Sequence, residues 1–308
     1  MRIFGKTNID FMAKRNLWFV VSGVVILTGM VSLFMKGLDY GIDFLGGTEL
    51  VVRFDKPVDV GDVRTAMLQA GLEKPEIKTF GSDRDILVRT TEQGFGTTIG
   101  DKIRNGLLTA FPDNAQEVTK EDKIGPKIGA ELRRDALYAV IASLIAITIY
   151  VAFRFKWIFG VGAVVALFHD VLVTLGVISI FDGITPGFYL EIDQNMIAAF
   201  LTLVGLSVND SVVIFDRIRE NSKIFKSMGT YELINKSLNE TLSRTIITSG
   251  TIFVVLLVLL IFGGEVNRGF AFALTIGIIT GTYSSIYIAS ATVLEWSKRT
   301  KKQARLIG

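Results

Sequence analysis

Residues 245–264 read TIITSGTIFVVLLVLLIFGG, twenty positions without a charge. At a helical rise of about 1.5 Å per residue, such a run crosses the roughly 30 Å of hydrocarbon in a bilayer. Asn16–Met35, Ala136–Phe153 and Gly269–Leu294 are likewise uncharged. Trp157–Phe181 is broken only by His169 and Asp170, and Gln194–Phe215 only by Asp210. The pattern predicts six transmembrane helices. The mean hydropathy of +0.46 agrees, and with 20% of the 308 residues charged, polar and apolar positions must be segregated along the chain.

The first apolar run follows Lys14 and Arg15, as a signal peptide would. It is too long for one, and no A-x-A site follows it, so it reads as an uncleaved anchor. There is no cysteine and a single histidine. That excludes disulfide scaffolds, thiolate nucleophiles, iron–sulfur clusters and cysteine or poly-histidine metal sites.

Basic residues in short loops set the orientation. Arg2, Lys6, Lys14 and Arg15 precede the first helix, Arg154 and Lys156 join the second to the third, and Arg217, Arg219, Lys223, Lys226 and Lys236 join the fourth to the fifth. Lys298, Arg299, Lys301, Lys302 and Arg305 follow the sixth. The opposite short loops hold Asp182, Glu191 and Asp193, then Glu265 with Arg268. Both termini are therefore expected in the cytoplasm, with Trp18, Trp157 and Trp296 at that boundary as an aromatic belt. The chain divides into a tail and first helix over 1–36, a polar block over 37–135, five helices over 136–296 and a basic tail over 297–308. The polar block has a net charge of −4 and the remainder +7. The basic excess suits loops facing an anionic leaflet and gives no reason to expect a nucleic-acid partner.

Within the polar block, Thr48–Phe54 alternates as a strand does and Val60–Ala70 has the helical period after Pro57-Val58-Asp59. Glu76–Phe80 and Ile86–Thr90 read as strands around a turn at 81–83, Thr97–Phe111 as a helix and Gln116–Lys120 as a last strand. The order β-α-β-β-α-β predicts a ferredoxin-like α+β domain inserted between helices 1 and 2. Its sheet edge is open to pairing with an extended peptide, and it shows no catalytic constellation.

Ionisable groups in a membrane span are costly unless paired or hydrated, so each is a functional candidate. Here they are His169, Asp170, Asp210 and Arg244. Counted from Arg217 and Lys236, Asp210 and Arg244 lie about 10 and 12 Å inside one border, on consecutive antiparallel helices. The pair reads either as a proton switch that opens when the carboxylate is neutralised or as a static ion pair that fixes packing. Asp170 is either a second relay site or is satisfied by His169 or a hydroxyl such as Thr174. His169, one position away, is expected on a different face. Ser207, Asn209 and Ser211 around Asp210 read as interhelical hydrogen-bond partners or as part of a hydrated path. Ala273, Gly277, Gly281, Ser285 and Ala289 form a small-residue stripe for close helix packing.

Gly41-Ile42-Asp43-Phe44-Leu45-Gly46-Gly47-Thr48, the stretch from Val208-Asn209-Asp210 to Arg219-Glu220-Asn221, Leu238-Asn239-Glu240-Thr241-Leu242-Ser243-Arg244-Thr245, and Phe262-Gly263-Gly264-Glu265 with Gly281-Thr282-Tyr283-Ser284-Ser285 closely resemble the SecF family of protein-export membrane subunits. The resemblance covers nearly the whole chain and is weakest in the polar block. It implies an architecture similar to half of a resistance–nodulation–division (RND) transporter in the bacterial inner membrane. It also implies a SecD partner supplying six more helices and a larger periplasmic domain, and use of the proton-motive force to complete preprotein export through SecYEG. YajC and YidC are further implied partners. In that family the residues matching Asp210 and Arg244 belong to the proton pathway, facing an aspartate of SecD. Asp43, Phe44, Gly46 and Gly47 match a signature that reads physically as a glycine turn aiming helix 1 into the first strand. No cofactor is implied; the coupling ion is expected to be a proton, with sodium as the alternative.

An intramembrane protease is disfavoured, because neither Asp170 nor Asp210 lies in a Tyr-Asp or Gly-x-Gly-Asp context and no glycine follows Ser207 as a rhomboid-like site would need. No enzyme is expected. A small-molecule or lipid exporter of the RND superfamily and a purely structural translocon subunit are the competing readings.

Overall fold

The computed structural model describes residues 7–299 apart from 74, 93, 95, 156, 186 and 187. Of the residues counted for orientation, Arg2, Lys6, Lys156, Lys301, Lys302 and Arg305 lie outside the described ones. Six long helices are apolar enough to cross a membrane. They are α1 (Arg15–Met35), α5 (Pro126–Arg154), α6 (Trp157–Phe181), α7 (Gln194–Ile224), α8 (Thr230–Phe262), and a last rod made of α9 (Gly264–Ser284), a π turn (Ser285–Ala289) and α10 (Ser290–Arg299).

Between α1 and α5 stand a short helix α2 (Ile42–Leu45), then β1 (Gly47–Phe54), α3 (Val60–Gln69), β2 (Glu76–Phe80), β3 (Ser82–Thr90), α4 (Thr98–Ala110) and β4 (Gln116–Ile124). All strand pairs are antiparallel in the order β2-β3-β1-β4, the ferredoxin-like arrangement. Leu50, Val52 and Phe54 alternate toward α3 and α4 with Ile86 and Val88, and Met67, Ile103 and Leu107 close that core.

Three boundaries in and beside the polar block differ from those the sequence predicts. The β2–β3 turn pivots on Gly81 alone, at φ +83°, and lets β3 start at Ser82. β4 runs on to Ile124 as an edge strand along which exposed and half-buried residues alternate. The helix expected from Ala136 starts at Pro126, inside the block expected to end at 135. Proline suits the first turn of a helix, where no N–H is needed. Glu131, Arg133, Arg134 and Asp135 ride on turns that project beyond the apolar run.

In the bundle, α1 and α6 run parallel with one constant offset. Ser22 meets His169, Gly29 meets Gly176, and Ser32 Oγ lies 2.9 Å from Ser179 Oγ. A Cβ on Gly176 would fall 2.7 Å from the Gly29 Cα, so backbones touch there. Gly176→Val should force the helices apart and cost about 1–3 kcal/mol; the check is a lower thermal midpoint in detergent. The small-residue stripe of α9 likewise receives α7 of the same chain: Gly277 lies under Leu203 and Gly281 under Ser207. At the end of the bundle away from the sheet, Asn235 and Asn239 of α8 bind the backbone of residues 9–12, and Arg15 pairs with Glu295 of α10. Trp18 stacks on Tyr283 and Tyr287 at 5.2 and 4.9 Å, so it packs the bundle as well as marking its border.

Candidate functional site

Two buried carboxylates lie in the bundle, served by opposite sides of α7. Asp170, on α6, is fully buried. Its Oδ2 accepts hydrogen bonds from Ser207 Oγ of α7 (2.5 Å) and Ser284 Oγ of α9 (2.8 Å), and its Oδ1 lies 2.8 Å from His169 Nδ1. His169 Nε2 lies 2.9 Å from both Ser22 Oγ of α1 and the Tyr283 hydroxyl of α9. Four helices thus meet in one polar knot.

Several expectations change here. His169 and Asp170 are bonded neighbours rather than groups on separate faces, because the imidazole reaches along the helix surface to the carboxylate. Thr174 does not satisfy Asp170; its Oγ1 is buried without a partner. Ser207, expected beside Asp210, serves Asp170 instead. The π turn follows Ser284 directly, and its Ala289 carbonyl crowds Gly162 of α6, where a Cβ would come within 2.9 Å. Such turns often mark functional positions in helices.

Asp210 faces the other way. It is buried, and its Oδ2 accepts one hydrogen bond, 3.0 Å, from Ser249 Oγ of α8. Further along the same seam, Arg217 pairs with Glu240 at 2.7 Å and Asn221 Nδ2 donates to Ser237 at 3.0 Å. This antiparallel register sets Asp210 opposite Ser249 and leaves Arg244 five residues, about 7.5 Å, away along α8. Arg244 is exposed on the isolated chain and makes no ion pair with Asp210 among the described residues. The equal-depth estimate errs because α7 and α8 both continue past the apolar border, and only their packing sets the register. Asn209 is exposed and Ser211 is buried.

A third cluster lies where the sheet meets the bundle. β1 is buried on both faces from Gly47 to Val52, since the face away from α3 and α4 is covered by the loop between α6 and α7. Residues 39–41 are stitched to that loop by Gly41 N–H to the Ile192 carbonyl (3.0 Å) and Ile192 N–H to the Asp39 carbonyl (2.7 Å). Glu191 of the loop pairs with Lys78 of β2 at 2.8 Å and with Arg89 of β3. Arg89 also reaches Glu49 (2.8 Å) and Glu76 (3.2 Å). Asp39, Glu76 and Glu191 converge within 4.8 Å of one another, and the Lys78 ammonium sits on all three. Burial works against the charge on Lys78 and Arg89, but Glu191 offsets it and both are held above their usual values. Burial works against Glu191 too, and Arg89 and Lys78 still hold it below the usual range.

The signature residues join this cluster to α7. Asp43 accepts from the Gln194 N–H at 3.0 Å, while Asp193 caps the helix through the Met196 N–H at 2.7 Å. Phe44 is buried in the bundle core, so α2 is anchored by both its aromatic and its acid. Gly46 and Gly47, at φ +72° and +137°, turn the chain into β1. Sequence reasoning assigns no role to Glu191, Asp193, Lys78, Arg89 or Ser249. The available signal is mixed: Glu49, Lys78 and Arg89 alternate with Leu50, Ile77 and Val88, a pattern that normally means solvent, but Val51 and Leu87 share their face.

Residues 106–299 match the family described as Protein export membrane protein SecD/SecF, C-terminal, and residues 31–58 match the SecD/SecF GG Motif. A Rhodothermus marinus protein named Protein translocase subunit SecF is 47% identical over 306 residues, covering 99% of each chain. The Escherichia coli O157:H7 protein of that name is 39% identical over 295 residues, covering 94% of this chain and 88% of that one. The crystal structure of SecDF from Thermus thermophilus, titled a translocon-associated membrane protein, superimposes with a TM-score of 0.83 at 39% identity. The overlap is 95% of this chain and 39% of the solved one. A SecDF structure in a super-membrane-facing form matches 99% of this chain and 41% of its own, with a TM-score of 0.71 at 35% identity.

Proposed function

Because the chain belongs to the SecD/SecF family of protein-export membrane proteins, we propose that it couples the proton-motive force to preprotein export as one half of a two-part transporter. It is a multi-pass bacterial membrane protein with a SecDF-type role in protein export, and it is a transport component. The finer assignments are inferences: a SecD partner, delivery through SecYEG to an unfolded client, YajC and YidC as neighbours, and no chemistry beyond ion movement. The sheet domain then faces outward and both termini face the cytoplasm, as the basic loops favour.

The observation that carries this reading is the difference between the two buried aspartates. Asp170 has donors from three residues and is enclosed by α1, α6, α7 and α9. Asp210 has one donor and faces α8, whose outer surface bears the exposed Arg244. We assign Asp210 as the titrating group and Arg244, on the neighbouring helix of this chain, as its electrostatic partner at the SecD interface. Asp170 is the clasp that keeps α7 and α9 in register. The helices α1, α5 and α8 leave Phe34, Phe153 and Phe262 at least 80% exposed, a surface for lipid and for the partner's helices. One charge moving through 100 mV is worth about 2.3 kcal/mol, enough to shift a two-state equilibrium more than tenfold.

The test is reconstitution with SecD and SecYEG in vesicles. An imposed proton gradient should speed late-stage export, and a protonophore should remove the acceleration. A response to a sodium gradient instead would reassign the ion, and export indifferent to both would end the reading in favour of a structural subunit.

A further inference from the structure

A cavity of about 350 Å³ lies between the sheet domain and the bundle, lined by residues of both. Asp193 lies in its wall, at the first turn of α7. We propose that this cleft is a proton-operated clasp: a proton bound by Asp193 holds the sheet domain down on the end of α7, and its loss lets the cleft open. The inference deepens the proton-coupling reading and rests on it for its role in export, but its mechanism is local to this chain.

The attachments of the domain permit such a motion. It joins the bundle by two chain crossings that lie side by side, Gly46-Gly47 and Gly125-Pro126; a Cβ on Gly46 would fall 2.9 Å from the Pro126 Cα. Two adjacent crossings form a hinge line. Away from that line the domain is held by Arg89 and Lys78 on Glu191, two residues before Asp193.

The groups facing Asp193 come from each element around the cavity. Asp43 stands on α2 and Glu191 on the same loop, both acidic. Asp39 precedes α2 and is paired with Lys78, and α9 lines the cavity with Val266 and Gly269, its Arg268 lying over the Phe188 ring. The sheet contributes Lys78, Arg89 and Lys120, with Glu49 and Asp122 behind them. The three bases are already engaged: Lys78 and Arg89 by Glu191, and Lys120 by Glu49 and Asp122. Asp193 therefore meets like charge without a cation of its own. Burial pushes its carboxyl up to about 6 against the Met196 N–H, and Asp43 and Glu191 add to the rise. The closed cleft thus binds the proton more tightly than a water-filled one, where the burial that raises the group is relieved. By linkage, closure gains as pH falls through about 6. A protonated Asp193 still caps α7, because its carbonyl oxygen accepts from Met196.

The chain has no cysteine, so Leu108→Cys on α4 and Phe262→Cys at the end of α8 can carry spin labels for distance measurement. In the complex with SecD in lipid, the ratio of closed to open populations should rise about tenfold between pH 7.5 and pH 5. Asp193→Asn mimics the protonated carboxyl and is an equally good cap, so it should stay closed at both pH values with its thermal midpoint unchanged. A wild-type distance distribution indifferent to pH, or an Asp193→Asn variant that keeps the wild-type titration, overturns the clasp. Export by the same samples separates the two ideas. A normal clasp with gradient-insensitive export defeats the coupling reading alone, and gradient-driven export with no clasp defeats this inference alone.

Discussion

Asp210→Asn should abolish the acceleration of export by a proton gradient while leaving the protein folded and joined to its partner. The carboxyl and the carboxamide have nearly the same shape, and the amide oxygen can still accept from Ser249 Oγ, now 3.0 Å from Oδ2. The loss in packing should therefore stay under about 1 kcal/mol. What disappears is the ability to exchange a proton in a site shielded from water, and with it the charge that Arg244 answers. Export in vesicles should fall to the rate seen with protonophore, with unchanged recovery of the SecD complex. Arg244→Ala should lose the acceleration as well, because the neutral and charged forms of Asp210 would then differ less. Normal acceleration in the Asn variant would remove Asp210 from the mechanism.

Gly47→Ala should be the most damaging small substitution in the domain. At φ +137° an L-residue is strained, and its Cβ would lie 2.3 Å from the Thr90 carbonyl oxygen. That contact is backbone on backbone, so no rotamer change relieves it. The nearest escape is to part β1 from β3, whose pairing begins with Thr48 opposite Thr90. The combined cost should exceed about 3 kcal/mol. The expected result is poor accumulation of the full-length protein and protease cleavage within residues 47–124, with the six helices still inserted. Wild-type protease resistance would show that the turn is more pliable than its dihedrals imply.

The amino-acid sequence discloses these two sites, and the rest of the molecule, unevenly. Asp210 stands alone in an apolar run, and a charge there is conspicuous by its cost. The six spans and the strand–helix order of the domain are legible for a similar reason, since burial imposes periodicity on a chain. Register between neighbouring helices is another matter. Nothing in the spacing of Arg217 and Lys236 reveals that both helices extend beyond the apolar layer, so spacing alone puts Arg244 opposite Asp210 where Ser249 in fact stands. The link from His169 to Asp170 is legible only as one alternative beside Thr174, because helical angles describe backbones, whereas long side chains bend. The cleft is hidden most thoroughly. Glu49, Lys78 and Arg89 read as solvent-facing, and only the distant loop carrying Glu191 makes that face an interior.

The π turn in the last rod amounts to one surplus residue in an otherwise α-helical segment. Winding the same five residues as regular α-helix would leave the composition untouched, yet swing everything after them by about 100°. Glu295 would turn away from Arg15, and the seam that closes the far end of the bundle would be offered the wrong stripe. The surplus residue thus acts as a phase adjuster, letting one continuous rod present the Ser284 hydroxyl to Asp170 at mid-depth and a carboxylate to Arg15 at its tip.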